Sequence, residues 1–162
     1  MNKSKIFILL PPLLLFLGLI TVVVVPKKPS LPVPKDSSLI TFGQLKGATL
    51  SESTSWPVYP PGIQLLQGER VTLRGVMGPL DNRTDFLSFL LLPEDVGLEP
   101  QLQEMVFITK TKDDDPWFFV LGPVQVSGIL SLADPDRAHP GLDQGFFFAI
   151  DEASVDELTP TE

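Results

Sequence analysis

Cysteine is absent from this chain. Disulfides, thiolate metal sites, a cysteine nucleophile and a lipid-modified cysteine are excluded with it. The compartment is not, because a secreted domain can lack disulfides. Histidine is nearly absent. His139 stands alone in Asp134-Pro-Asp-Arg-Ala-His-Pro-Gly141, with only carboxylates near it. A transition-metal site needs better ligands than these, so His139 reads as a loop residue. Asp134, Asp136 and Asp143 offer oxygens, but their spacing lacks the glycine and closing glutamate of an EF-hand loop. There is no Gly-x-Ser-x-Gly elbow and no phosphate-cradling glycine loop. The chain therefore reads as a non-enzyme, with no catalytic residue, metal or cofactor.

Acidic side chains are missing from residues 1–35, which carry five lysines. Residues 36–162 reverse this, with seven basic and twenty acidic side chains and a net charge of −13. A domain so acidic repels phosphate backbones, which argues against nucleic acid as a partner. Charge of either sign is missing from residues 6–25, IFILLPPLLLFLGLITVVVV. A helix of that length, at about 1.5 Å per residue, spans roughly the 30 Å hydrocarbon core of a bilayer. The run is too long for the apolar core of a cleaved signal peptide and ends without a small-x-small site. Residues 6–25, from Ile6 through Pro11, Pro12 and Phe16 to Val25, are thus predicted to form an uncleaved single-span anchor behind a five-residue tail. The Pro11-Pro12 pair kinks the helix or ends its first turn. The orientation favoured is N-terminus inside, with the C-terminal domain in the periplasm on the outer side of the cytoplasmic membrane. Residues 26–38 read as a Pro/Lys-rich linker. Its first ten residues, PKKPSLPVPK, form a semi-rigid polyproline spacer of about 30 Å that holds the domain clear of the lipid.

The remainder of the chain is β-rich. Arg70 to Met77 alternates apolar and polar residues, and residues 85–92 form a hairpin with it. Met105–Thr109, Val124–Leu132 and Phe146–Ile150 supply further strands. The pattern V-x-[LV]-x-G-[IV]-[LM] occurs at Val71 and again at Val124. It describes two strands coiled round one core, each bent at its glycine, Gly75 or Gly128. Five strands with short turns predict a small OB-like antiparallel barrel over residues 39–153, followed by an acidic tail at 154–162. A β-sandwich is the alternative.

Aromatic residues exceed what one core face needs. In a strand, successive side chains face opposite ways, so runs such as Trp117-Phe-Phe119 and Phe146-Phe-Phe148 place rings on both faces. Trp56, Tyr59, Trp117, Phe119 and Phe147 are therefore candidate partner-binding residues.

Four segments carry a resemblance. They are ITFGQL (40–45), LQGERVTLRGVMGPL (66–80), FLLLP (89–93) and GPVQVSG (122–128). Together they resemble a bacterial envelope family known only as a domain of unknown function, secreted or membrane-anchored and often encoded near transporter components. The resemblance implies an OB-like fold and an envelope compartment. That family carries a Cys/His-containing segment after its second strand. Here the corresponding residues 94–103, EDVGLEPQLQ, contain neither, so the resemblance implies no metal or thiol chemistry for this chain. The functional expectation is a membrane-anchored accessory subunit. Its domain docks on a larger integral membrane complex of respiratory, photosynthetic or transporter type. An OB-like module that binds a ligand or peptide, and a carboxylate-based enzyme, are the alternatives.

Overall fold

The computed structural model describes residues 32–78, 80, 85–95, 100–110 and 115–158. The predicted anchor at residues 6–25, most of the linker and the last four residues lie outside them. Among the described residues, no helix is long and apolar enough to cross a membrane.

Five strands build the domain: β1 (Arg70–Gly78), β2 (Ser88–Leu92), β3 (Val106–Thr109), β4 (Pro123–Leu132) and β5 (Phe148–Glu157). They are hydrogen-bonded in the order β1-β2-β3-β5-β4, and β4 pairs back onto β1, so the sheet closes. This is the expected OB-like barrel, and its closure sets the sandwich aside. The ladder is not antiparallel throughout: β3 and β5 run parallel, with Phe148 opposite Val106. An odd number of strands cannot alternate in direction all the way round a closed sheet, so at least one pair must run parallel.

Closure depends on strands that serve two neighbours. From Arg70 to Val76, β1 pairs with β4; from Val76 to Gly78 it pairs with β2. The change of partner falls beside Gly75, where a Cβ atom would stand 2.2 Å from the Leu92 carbonyl oxygen. At Gly128 a Cβ would meet the Asp151 carbonyl at 2.5 Å, opposite a bulge in β5 between Asp151 and Ser154. Both glycines predicted to bend strands thus sit where backbone must approach backbone.

The interior is filled by Val71, Leu73, Phe89, Leu91, Val106, Ile108, Val124, Val126, Leu130, Phe148 and Ile150, all essentially inaccessible. The segment before the barrel joins this core through two four-residue helices. The first, α1 (Phe42–Leu45), is opened by a capping box in which Thr41 and Gln44 satisfy each other's backbone N–H. The second, α2 (Pro61–Gln64), has proline at its first position, where no intrahelical donor is needed. Phe42, Leu45 and Ile63 are the residues they bury.

Two boundaries differ from the sequence reading. β5 runs on to Glu157, through the start of the stretch read as an acidic tail, because residues 154–157 complete the ladder with β4. At the other end, residues 32–39 lie along the barrel instead of standing free as linker. Ser38 and Leu39 pair parallel with Val71 and Thr72. Ser37 Oγ lies 2.7 Å from Thr72 Oγ1, which lies 2.7 Å from Ser127 Oγ. Gln125, itself bonded by Arg74 Nε at 2.9 Å, donates to the Pro32 carbonyl. Alternation puts Thr72 on the outward face of β1, yet it is fully buried: this strap covers it.

Candidate functional site: an apolar groove at one end of the barrel

The β4–β5 loop, residues 133–147, is built from short polar turns. The Asp136 N–H donates to Asp134 Oδ1 at 2.9 Å, an Asx turn. The His139 N–H donates to Asp143 Oδ1 at 3.2 Å, and Asp143 returns a bond to the His139 carbonyl. A 3₁₀ turn at Leu142–Gln144 ends at Gly145, whose φ of 98° suits glycine. Asp134 and Asp143, two of the three aspartates whose spacing does not fit an EF-hand loop, serve the loop backbone. Among the described residues, no cluster of metal-ligating side chains forms.

His139 does more than lie in a loop. Its Nδ1 accepts the N–H groups of Gly141 and Leu142 at 3.2 and 3.3 Å, so the ring proton is assigned to Nε2. Nε2 lies 2.9 and 3.0 Å from the two oxygens of Asp151. The same carboxylate accepts Thr109 Oγ1 from β3 at 2.7 Å and Ser131 Oγ from β4 at 2.6 Å. Burial alone pushes the Asp151 carboxyl up, but the bonds from Ser131, Thr109 and His139 outweigh it and hold the group below the ordinary carboxylate value. Serine, aspartate and histidine are therefore together, but not as a catalytic triad. Ser131 bonds the aspartate rather than the imidazole, and both ring nitrogens are engaged. The cluster clasps the loop to the β5 bulge.

Beside the clasped loop lies an open apolar groove of about 330 Å³. One wall is a two-stranded ribbon, Thr49–Leu50 against Pro57–Val58, contributing Leu50, Trp56 and Pro57. Leu102, from the β2–β3 loop, lines it too. The β4–β5 loop adds Leu142, Asp143 and Phe146, and Phe147 lies at the base. Trp56 stays 37 % exposed, and Leu50 is over half exposed. The ribbon is held against this end by Tyr59, whose hydroxyl lies 2.8 Å from the Phe147 carbonyl and 3.2 Å from that of Ala133. Burial raises the Tyr59 phenol well above its ordinary value, so it remains a neutral donor.

The predicted partner-binding residues thus divide. Trp56 lines the groove. Tyr59 and Phe147 are buried in the core, and Phe147 meets the groove only at its base. The run Phe146-Phe-Phe148 is covered on both faces: Phe148 points into the barrel, and Phe146 stacks on Phe107 at 5.7 Å beneath the β4–β5 loop. Trp117 and Phe119 lie at the opposite end. There the pair Trp117–Phe118 bridges to Asp85–Phe86 and ties the β3–β4 loop to the β1–β2 loop. Trp117 turns inward, edge-on to Phe89 at 5.2 Å, with Lys110 Nζ over its ring. Phe118, on the other face, is 72 % exposed. Phe119 remains partly exposed. Leu50, Leu102, Phe146 and Phe118 were not foreseen as surface contacts. Alternation separates the faces of Trp117 and Phe118, but it does not say which face a loop will cover.

No family model matches the chain, and no curated protein matches it. Among solved structures, a DUF3299 family protein from Pseudomonas aeruginosa PAO1 is similar, with 20% sequence identity and a TM-score of 0.47. The match covers 78% of this chain and 97% of that one. This likeness assigns the chain neither a family nor an activity.

Proposed function

We propose that this protein is a non-enzymatic, membrane-tethered accessory subunit. Its OB-like domain stands outside the cytoplasmic membrane and docks on a partner protein of a larger membrane complex. The observation that carries the reading is the groove: Leu50, Trp56, Leu102 and Phe146 converge from three separate segments, and the first three stay open to solvent. Such a concavity, centred on an exposed tryptophan, accepts an apolar side chain of a partner in the manner of a binding hot spot. The surrounding domain, at −13, suits a partner whose rim is basic. Residues 6–25 supply the tether. The clasp at His139 and Asp151 supports a binding role, because it engages the histidine and carboxylate that catalysis would need.

The test is native mass. The chain is tagged, solubilised from its own membranes in mild detergent, and weighed with what accompanies it. The expected result is a stoichiometric assembly that Trp56→Ala disperses while the domain keeps its folded circular dichroism. A lone chain of 17.8 kDa in detergent would overturn the subunit reading. The groove's volume also lies within the range of small-molecule sites, so a monomer that binds a small apolar ligand is the second reading.

A further inference from the structure

The two ends of the barrel differ in what they expose. At the end away from the groove, Leu80 and Leu87 of the β1–β2 loop and Phe118, Phe119 and Leu121 of the β3–β4 loop are all exposed, Leu121 at 92 %. Lys110 bonds the Leu87 carbonyl, and the Asp85–Phe118 pairing joins the loops. These five side chains therefore share one rim.

The chain's own path says what meets them. Followed backward from Ser38, beside Val71, the strap climbs β1 and β4 to Pro32, beside Gln125. Gln125 is two residues from the start of β4 and four from Leu121. Pro32, the described residue nearest in sequence to the apolar run of residues 6–25, therefore lies toward this same rim. Seven steps separate Val25 from Pro32, at most about 25 Å of extended chain. Turning the groove end to the lipid would instead use most of that lead. In sequence, residues 79–87 and 110–122 carry five aspartates against Arg83, Lys110 and Lys112, a composition with no strong attraction to anionic headgroups. Phenylalanine and leucine beside a half-buried tryptophan match the composition of interfacial contacts.

We propose that this rim seats on the bilayer surface, with Phe118 and Leu121 inserted among the headgroups. The inference rests on the reading of residues 6–25 as the anchor. The tether keeps the rim at high effective concentration over the lipid, so a few apolar side chains suffice. The domain then stands on the membrane with its groove turned away from it.

The absence of cysteine makes the test clean. Leu121→Cys and Leu65→Cys each carry one environment-sensitive fluorophore on the full-length chain; Leu65 is nearly as open as Leu121 but precedes β1 at the groove end. Both chains are placed in phosphatidylcholine nanodiscs. The expected result is that iodide quenches position 121 several-fold less than position 65, that headgroup-level spin-labelled lipid does the reverse, and that high salt changes neither. Phe118→Ser should reopen position 121 to iodide. Equal iodide quenching at the two positions, in a chain that stays with the disc, would overturn the seating and leave the anchor intact. So would shielding of position 121 only in native membranes, which would give the rim to a protein instead. A chain that elutes apart from the disc would overturn the anchor and the seating together.

Discussion

Asp151 is a residue on which several polar bonds converge. It gathers bonds from β3, β4 and the β4–β5 loop at the point where β5 bulges. Removing its carboxylate leaves Thr109, Ser131 and His139 without their acceptor, and hydrogen bonds to a charged group stabilise by about 1.5–3 kcal/mol each. These three act as a unit, so Asp151→Ala should cost about 3 kcal/mol in urea unfolding rather than the sum. The pH dependence has a definite sign. The folded group titrates below its ordinary value, so its contribution is complete above the unfolded carboxylate pKa. It is lost as the pH falls from about 4 through the lower folded value. Asp151→Asn should flatten the acid limb of the stability curve. If wild type and Asp151→Asn lose stability in parallel below pH 4, the clasp does not act through charge.

Among the elements, the β4–β5 loop is held by polar bonds as well as by burial of Leu142. His139→Ala removes the ring that accepts the Gly141 and Leu142 amides and reaches Asp151. Amide exchange across residues 139–145 should then quicken at least tenfold, about 1.4 kcal/mol of local opening, while β1 and β4 exchange as before. Equal quickening everywhere would mean the clasp supports the whole barrel. This loop also marks the limit of what the sequence discloses. The five strands are legible because alternation at Val71, Leu73 and Met77 and unbroken apolar runs such as Phe89–Leu92 respond to one nearby core. Gly75 and Gly128 are legible as bends because only a close backbone approach favours glycine inside such strands. The clasp is not legible, because Thr109, Ser131, His139 and Asp151 are brought together by barrel closure and lie up to 42 residues apart. The groove is hidden for the same reason: Leu50, Leu102 and Phe146 come from three loops with no common period. Tyr59 and Phe147 look like surplus until the ribbon and the β4–β5 loop are seen to cover them.

At the scale of the molecule, the barrel has two ends that expose different apolar surfaces, with one tryptophan near each. Trp56 stands in the groove; Trp117 lies under the rim of Leu87, Phe118 and Leu121. A ten-residue strand such as β5, at about 3.3 Å per residue and tilted by about 40°, gives the barrel a height of about 25 Å. That separation exceeds the reach of contact quenchers carried on lipid. Trp56→Phe leaves Trp117 as sole reporter, and Trp117→Phe leaves Trp56. In nanodiscs containing lipid brominated near the headgroup, Trp117 emission should be quenched and Trp56 emission should not. Adding the native complex should invert the response: Trp56 shifts to the blue as the groove fills, and Trp117 does not change. If Trp56 responded to the lipid and Trp117 did not, the barrel would stand the other way up. The groove would then be the membrane contact, and the rim would be free for the partner.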